Sequence, residues 1–185
     1  YQYAQNHKDF FICDINYISA DFGLQKWHDP LYWYMYKYAL SLDAIPTLAF
    51  NVSNMIKSVF GKNKKGFVLD LDHTLWGGVI GDDGIEEIKL GPEEPEGEAY
   101  WEFQRYLKQY KDLGILLNID SKNERANALL GIKHPNSLLK ESDFISIQAN
   151  WNPKSENFLK IAKELNLLPE SLVFVDDHPA ERAII

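Results

Sequence analysis

One cysteine, Cys13, is all that the 185 residues contain, which excludes an internal disulfide and a cysteine-built zinc site and fits a reducing, cytoplasmic compartment. Positive charge is also scarce. Against 27 Asp and Glu stand 19 Lys and Arg, a net charge of −8, so no nucleic acid partner is expected, although a local basic pocket can still hold one phosphate group. Long apolar runs are missing as well: the stretches near Leu31–Leu42 and Pro46–Phe60 are broken by Lys37, Asp43, Asn51, Asn54 and Lys57. Neither reaches the roughly 20 apolar residues that cross a bilayer, so no membrane span and no signal peptide are expected. The chain opens at Tyr1 without Met and ends in Ala183-Ile184-Ile185, which suggests a segment of a longer protein. What is present is globular in kind, 45% hydrophobic and 25% charged, with length for one α/β domain and an appendage.

The composition changes near residue 61. Residues 1–60 carry 14 of the 25 aromatics, whereas residues 61–185 carry most of the acidic excess. Gly61-Lys62-Asn63-Lys64-Lys65-Gly66 has the polar, glycine-bounded character of a linker. In the first part, Phe10–Ile15 reads as a strand, and Pro46 opens a helix with Leu48, Ala49, Val52, Met55, Ile56 and Val59 at helical spacing. Leu31-Tyr32-Trp33-Tyr34-Met35-Tyr36 is apolar all round and is expected to be covered by its own domain, by an upstream segment or by a partner. In the second part, apolar strands at Phe67–Leu71, Ile115–Ile119, Phe144–Ile147 and Leu172–Val175 alternate with helices at Gly97–Tyr110, Glu124–Leu130 and Lys154–Leu165. The first helix is expected to turn Ala99, Phe103, Tyr106, Leu107 and Tyr110 inward, and the last Phe158, Ile161, Ala162 and Leu165. Such alternation predicts an α/β fold, a parallel sheet covered by helices on both faces.

Ligands of such sheets bind beyond the carboxyl ends of the strands, and there the polar residues gather. The first strand ends in Asp70-Leu71-Asp72-His73-Thr74, the second in Asp120-Ser121-Lys122-Asn123 and the fourth in Asp176-Asp177-His178-Pro179, while Lys154 opens the helix after the third. Converging carboxylates need a hard cation between them, and an all-oxygen set suits Mg²⁺ better than Zn²⁺. Ser121, Lys154 and backbone N–H groups of the turns would complete a phosphoryl cradle. The constellation is that of phosphoryl transfer. A calcium-binding EF-hand at Asp70 is excluded, since Leu75 stands where that loop needs Gly and Gly81 where it needs Glu.

Asp70-x-Asp72-x-Thr74, Ser121, the lone Lys154 and the pair Asp176-Asp177, in that order, resemble the four motifs of the haloacid dehalogenase-like superfamily. The runs Val68-Leu69-Asp70-Leu71-Asp72-His73-Thr74-Leu75-Trp76-Gly77-Gly78-Val79-Ile80-Gly81 and Val173-Phe174-Val175-Asp176-Asp177-His178-Pro179-Ala180-Glu181-Arg182 resemble its subfamily IIIC, the FkbH-like group. That resemblance implies a Rossmann-like sheet, with Asp70 as nucleophile forming an aspartyl-phosphate and Asp72 as general acid and then base. It implies Mg²⁺ held by the Asp70 carboxylate, the Asp72 carbonyl and one of Asp176 and Asp177, with Asp177 favoured as the direct ligand. Phosphate would be gripped by Asp70, Leu71, Asp72, Thr74, Ser121, Lys122, Asn123 and Lys154. His73, Asp120 and His178 depart from the usual pattern; Asp120 adds negative charge near the phosphate or positions Lys122, and both histidines are expected to bond locally or face solvent.

The segment between the first two motifs, with Gly77-Gly78 and the acidic Gly91–Glu98, is too short for more than a minimal cap, which suits a phosphate on a macromolecule or a carrier protein. Glu93–Glu98 reads as a solvated loop. Trp76 is read equally as a substrate-facing flap residue or as local packing. Trp27-His28-Asp29-Pro30-Leu31-Tyr32-Trp33-Tyr34 resembles the end of an SGNH-hydrolase-like domain, without a Gly-Asp-Ser motif, so residues 1–60 are expected to be a helical, aromatic-rich docking segment for an upstream domain or an oligomer contact. Three functions stay open at this point: a Mg²⁺-dependent phosphatase or phosphotransferase, glyceryl or acyl transfer from a phosphorylated three-carbon acid to a carrier-protein thiol, and a non-catalytic carrier-protein or cation-binding module.

Overall fold

The computed structural model describes residues 1–185, which form two compact units, Tyr1–Asn63 and Lys64–Ile185. The first unit is helical: α1 (Gln2–Asn6), α2 (Ile15–Phe22), α3 (Leu24–Trp27), α4 (Pro30–Tyr36) and α5 (Ile45–Val59). The strand expected over Phe10–Ile15 does not form. That stretch is irregular, and its end becomes a helix start, because the Asp14 carboxylate accepts a hydrogen bond from Tyr17 N–H and caps α2. A short apolar run with no partner strand cannot compete with a satisfied helix N-terminus. Asp29 caps α4 in the same way, with Pro30 in its first turn. Ile18, Trp27 and Ala44 make a small core, with Cys13, Phe22, Leu40 and Leu48 against it. The aromatic helix α4 is not covered: Leu31, Trp33, Tyr34, Met35 and Tyr36 are exposed, as are Val52, Ile56 and Val59 of α5.

The second unit runs β1 (Gly66–Leu69), α6 (Ile80–Asp83), α7 (Pro95–Asp112), β2 (Leu116–Ser121), α8 (Arg125–Ile132), β3 (Phe144–Ala149), α9 (Lys154–Glu164), β4 (Leu172–Val175) and α10 (Pro179–Ile184). Its four strands are parallel in the order β3-β2-β1-β4. The chain therefore steps outward from β1 to β3 and then returns to β1's other side, which opens a crevice at the carboxyl ends. Side chains alternate across the sheet. Leu69, Leu117 and Ile119 pack with Leu107 of α7 and with Ala128 and Ile132 of α8; Val68 and Leu172 pack with Phe158, Ile161 and Ala162 of α9. The fold is α/β with helices on both faces and only α6 and tight turns between β1 and α7.

Helix α7 starts at Pro95, so Pro95–Glu98 of the acidic stretch is a helical first turn rather than loop. Its inward face is also rotated from the expected one. Gly97, Gln104 and Leu107 are buried, whereas Ala99 and Tyr106 are exposed. Two contacts set this rotation. A Cβ at Gly97 would lie 2.9 Å from the Gly91 carbonyl, so only glycine permits that approach. Gln104 donates to Leu75 O at 2.9 Å and accepts from Leu138 N–H at 2.9 Å and Leu139 N–H at 3.3 Å. A buried amide with its partners met is as good an interior residue as an apolar one.

Candidate active site

Strand register places the acidic residues. Leu69 pairs with Ile119 on one side and Val175 on the other, so Asp70 and Asp176, just past β1 and β4, stand level with Asp120 near the end of β2, and Asp70 N–H donates to Val175 O at 2.9 Å. Lys154, the first residue of α9, reaches back between two of them: Nζ lies 2.9 Å from Asp70 Oδ2 and 2.5 Å from Asp176 Oδ2. All three side chains are nearly excluded from water. Burial pushes the Asp70 carboxyl above its ordinary range, against the pull of Lys154. Burial also works against the Lys154 ammonium, but Asp70 and Asp176 outweigh it and hold its pKa above the usual lysine value.

Carboxylate oxygens of Asp70, Asp176 and Asp177 come within 4.8 Å of one another. Three carboxylates against one ammonium leave two negative charges, the charge a single divalent cation would neutralise, and the donors are all hard oxygens. The residues therefore fit Mg²⁺. Asp176 is buried, with Oδ1 accepting from His178 N–H at 2.8 Å and Oδ2 held by Lys154, whereas Asp177 is exposed. Arg182 Nη1 donates to the carbonyls of Asp176 and Asp177 at 2.5 and 2.8 Å, tying the turn to α10.

The Asp72 carboxylate stands apart from that group. Its Oδ1 accepts from Trp76 Nε1 at 2.9 Å and from Ile80 N–H at 3.0 Å, and its Oδ2 accepts from Asn123 Nδ2 at 2.9 Å. Trp76 is 1% exposed, so of its two readings local packing holds and the flap does not. The Asn123 amide is engaged with Asp72. Ser121 is buried at the end of β2, and its carbonyl accepts from Asn123 N–H and Asn150 N–H. Thr74 is buried with its hydroxyl unpartnered, and Leu71 is fully buried in the core.

Lys122 and Asp120 do not meet. The Lys122 ammonium, just past the end of β2, pairs with Glu181 at 2.6 Å, while Asp120, two residues earlier and still within β2, accepts from Asn157 Nδ2 of α9 at 3.0 Å. Asp120 is fully buried, and burial raises its pKa to about 7, with Asn157 and Lys154 opposing and Asp70 and Asp176 reinforcing the shift. His73 bonds locally, its Nδ1 accepting from Gly78 N–H at 3.3 Å, and His178 is exposed. Glu93 and Glu94 lie on the surface, with Glu94 3.5 Å from Lys89.

Two residues that organise this site have no site role in the sequence reading, Asn157 behind Asp120 and Arg182 behind the acidic pair, and Trp76, read there as flap or local packing, stands behind Asp72. Asn157 carried one signal, as a polar residue one turn after Lys154 on the helix face that buries Phe158 and Ile161.

No protein-family model matches the chain, and no curated protein does. Among solved structures, the chain is similar to the crystal structure of the N-terminal part of the protein BF1531 from Bacteroides fragilis, which contains a phosphatase domain and is complexed with Mg. The two are 38% identical with a TM-score of 0.94 over 99% of this chain and 49% of that one. This chain thus spans about half the length of the chain it matches. No helix is long and apolar enough to cross a membrane.

Proposed function

We propose that the Lys64–Ile185 unit is a Mg²⁺-dependent phosphatase or phosphotransferase of the haloacid dehalogenase-like, FkbH-like type, working through an aspartyl-phosphate on Asp70. The observation that carries this reading is the buried Asp70–Lys154–Asp176 cluster, with Asp177 beside it, at the switch point of the sheet. The 38% identical phosphatase domain complexed with Mg supports it.

Asp70, Asp176 and Asp177, with the Asp72 carbonyl, would hold Mg²⁺, which supplies Lewis-acid charge neutralisation at the phosphoryl oxygens. The Asp70 carboxylate attacks phosphorus in line, forming an acyl-phosphate bond as the ester P–O bond breaks. Asp72 as the acid gives its proton to the departing oxygen. Asp72, now a carboxylate, takes a proton from water, which attacks the phosphorus and frees phosphate and the Asp70 carboxylate. Two small displacements thus replace one difficult one. Lys154, with Ser121, Lys122, Thr74 and the turn N–H groups after β1, holds the phosphoryl group and offsets its charge. Lys122 must exchange Glu181 for phosphate to take part.

The test is phosphate release from para-nitrophenyl phosphate with Mg²⁺ or with EDTA, comparing the chain with its Asp70→Asn variant. Turnover that needs Mg²⁺ and vanishes in the variant is the expected result. Equal turnover by Asp70→Asn would overturn the nucleophile assignment, and turnover indifferent to EDTA would overturn the role of the metal.

A further inference from the structure

The Asp72 carboxylate is held by three donors from three parts of the chain: the indole of Trp76, the backbone N–H of Ile80 at the start of α6, and the amide of Asn123 after β2, all at 2.9–3.0 Å. Two of these donors are themselves locked. Trp76 is 1% exposed, and a Cβ added at Gly131 of α8 would lie 2.6 Å from its ring, so the indole rests directly on α8 backbone. Asn123 is buried, and its backbone N–H is fixed by Ser121 O at 3.0 Å. Neither side chain adds charge, so what each offers Asp72 is a neutral N–H donor.

From this geometry we propose that Trp76 and Asn123 are positioning residues for Asp72, a role that rests on the phosphatase reading above. They fix the torsion of the Asp72 side chain: Oδ1 accepts two hydrogen bonds and Oδ2 one, which leaves one lone pair, on Oδ2, to carry the proton in a single orientation instead of several. Proton delivery depends on placement within hydrogen-bond reach. Loosening Asp72 therefore costs most where the leaving group most needs a proton. An alkoxide must be protonated as it departs, whereas para-nitrophenolate departs without help. Trp76 and Asn123 touch neither reacting atom and act through Asp72 alone.

The experiment measures kcat/KM for glycerol phosphate and for para-nitrophenyl phosphate, with Mg²⁺, in the wild-type chain and in Asp72→Ala, Trp76→Phe and Asn123→Ala. Trp76→Phe keeps an aromatic ring but deletes the donor together with the ring atoms that meet Gly131; Asn123→Ala, which deletes a donor without touching that packing, is the second variant should the first fail to fold. The loss in Asp72→Ala should fall chiefly on glycerol phosphate, by about the 100-fold or more that general acid catalysis supplies. Trp76→Phe and Asn123→Ala should show the same bias at smaller size, about 10-fold on the alkyl ester and about 2-fold on the aryl ester. Losses equal on both esters in the two variants, with the bias intact in Asp72→Ala, would overturn the positioning role and leave only packing. A wild-type chain inactive on both esters would overturn the phosphatase reading, and this role with it.

Discussion

Replacing Asp120 with asparagine should flatten the pH dependence of folding stability. Asp120 is fully buried; Oδ1 accepts one hydrogen bond from Asn157 and Oδ2 has no partner. Burial raises its pKa from 3.8 in the unfolded reference to about 7. Between about pH 4 and pH 7 the unfolded chain has therefore lost a proton that the folded chain keeps. Stability then falls as pH rises, by about 1.4 kcal/mol per pH unit and about 4 kcal/mol in total, and the loss ends above the folded pKa. Asparagine keeps the acceptor for Asn157 and has nothing to ionise. The stability of the variant relative to wild type should thus rise by about 2.5 kcal/mol between about pH 5 and about pH 8.5. Urea unfolding followed by far-ultraviolet circular dichroism, in EDTA, reads this as a widening gap in midpoint of about 1–2 M for a typical urea slope. A stability difference that stays constant across that range would refute the argument, because it would mean that Asp120 carries the same charge in both folded and unfolded chains.

Lys154→Met removes the one ammonium between Asp70 and Asp176, and without Mg²⁺ it should destabilise the fold by about 3–5 kcal/mol, since two carboxylates are left buried and unpaired; Mg²⁺ should restore part of that in thermal melts. Gln104→Leu should cost about 2–4 kcal/mol in urea unfolding, because the Leu75 carbonyl and the Leu138 and Leu139 N–H groups lose their partner. Gly131→Ala places a methyl 2.6 Å from the Trp76 ring and should cost about 1–3 kcal/mol by overpacking, measured the same way. Lys122→Ala breaks an exposed pair with Glu181 and should change stability by less than about 1 kcal/mol, so a raised KM for phosphate esters in that variant would report phosphate contact rather than folding.

Much of the site is legible in the order of residues because a buried parallel strand ends where its apolar run ends. Phe67-Val68-Leu69 and Leu172-Val173-Phe174-Val175 stop at Asp70 and Asp176, and those residues must emerge at the rim of the sheet. A parallel sheet then brings rims together whatever lies between them, so the acidic ends of β1 and β4 and the polar end of β2 gather at one edge. Side-chain partners across large sequence separations are a different matter. Period and composition are silent on which face of α7 is buried, because Gly97 and Gln104 win that face through backbone approach and hydrogen bonds to residues about 30 positions away. Nor could the strand expected at Phe10–Ile15 be rejected without seeing that no other strand pairs with it. Only the assembled structure decides that Lys122 pairs with Glu181 while Asp120 sits against Asn157, and that Trp76 serves Asp72 from the interior. A polar group's partner is set by distance in three dimensions, whereas an apolar run needs only to leave water, which is why the strands and their acidic ends can be read along the chain and the hydrogen bonds that aim those acids cannot.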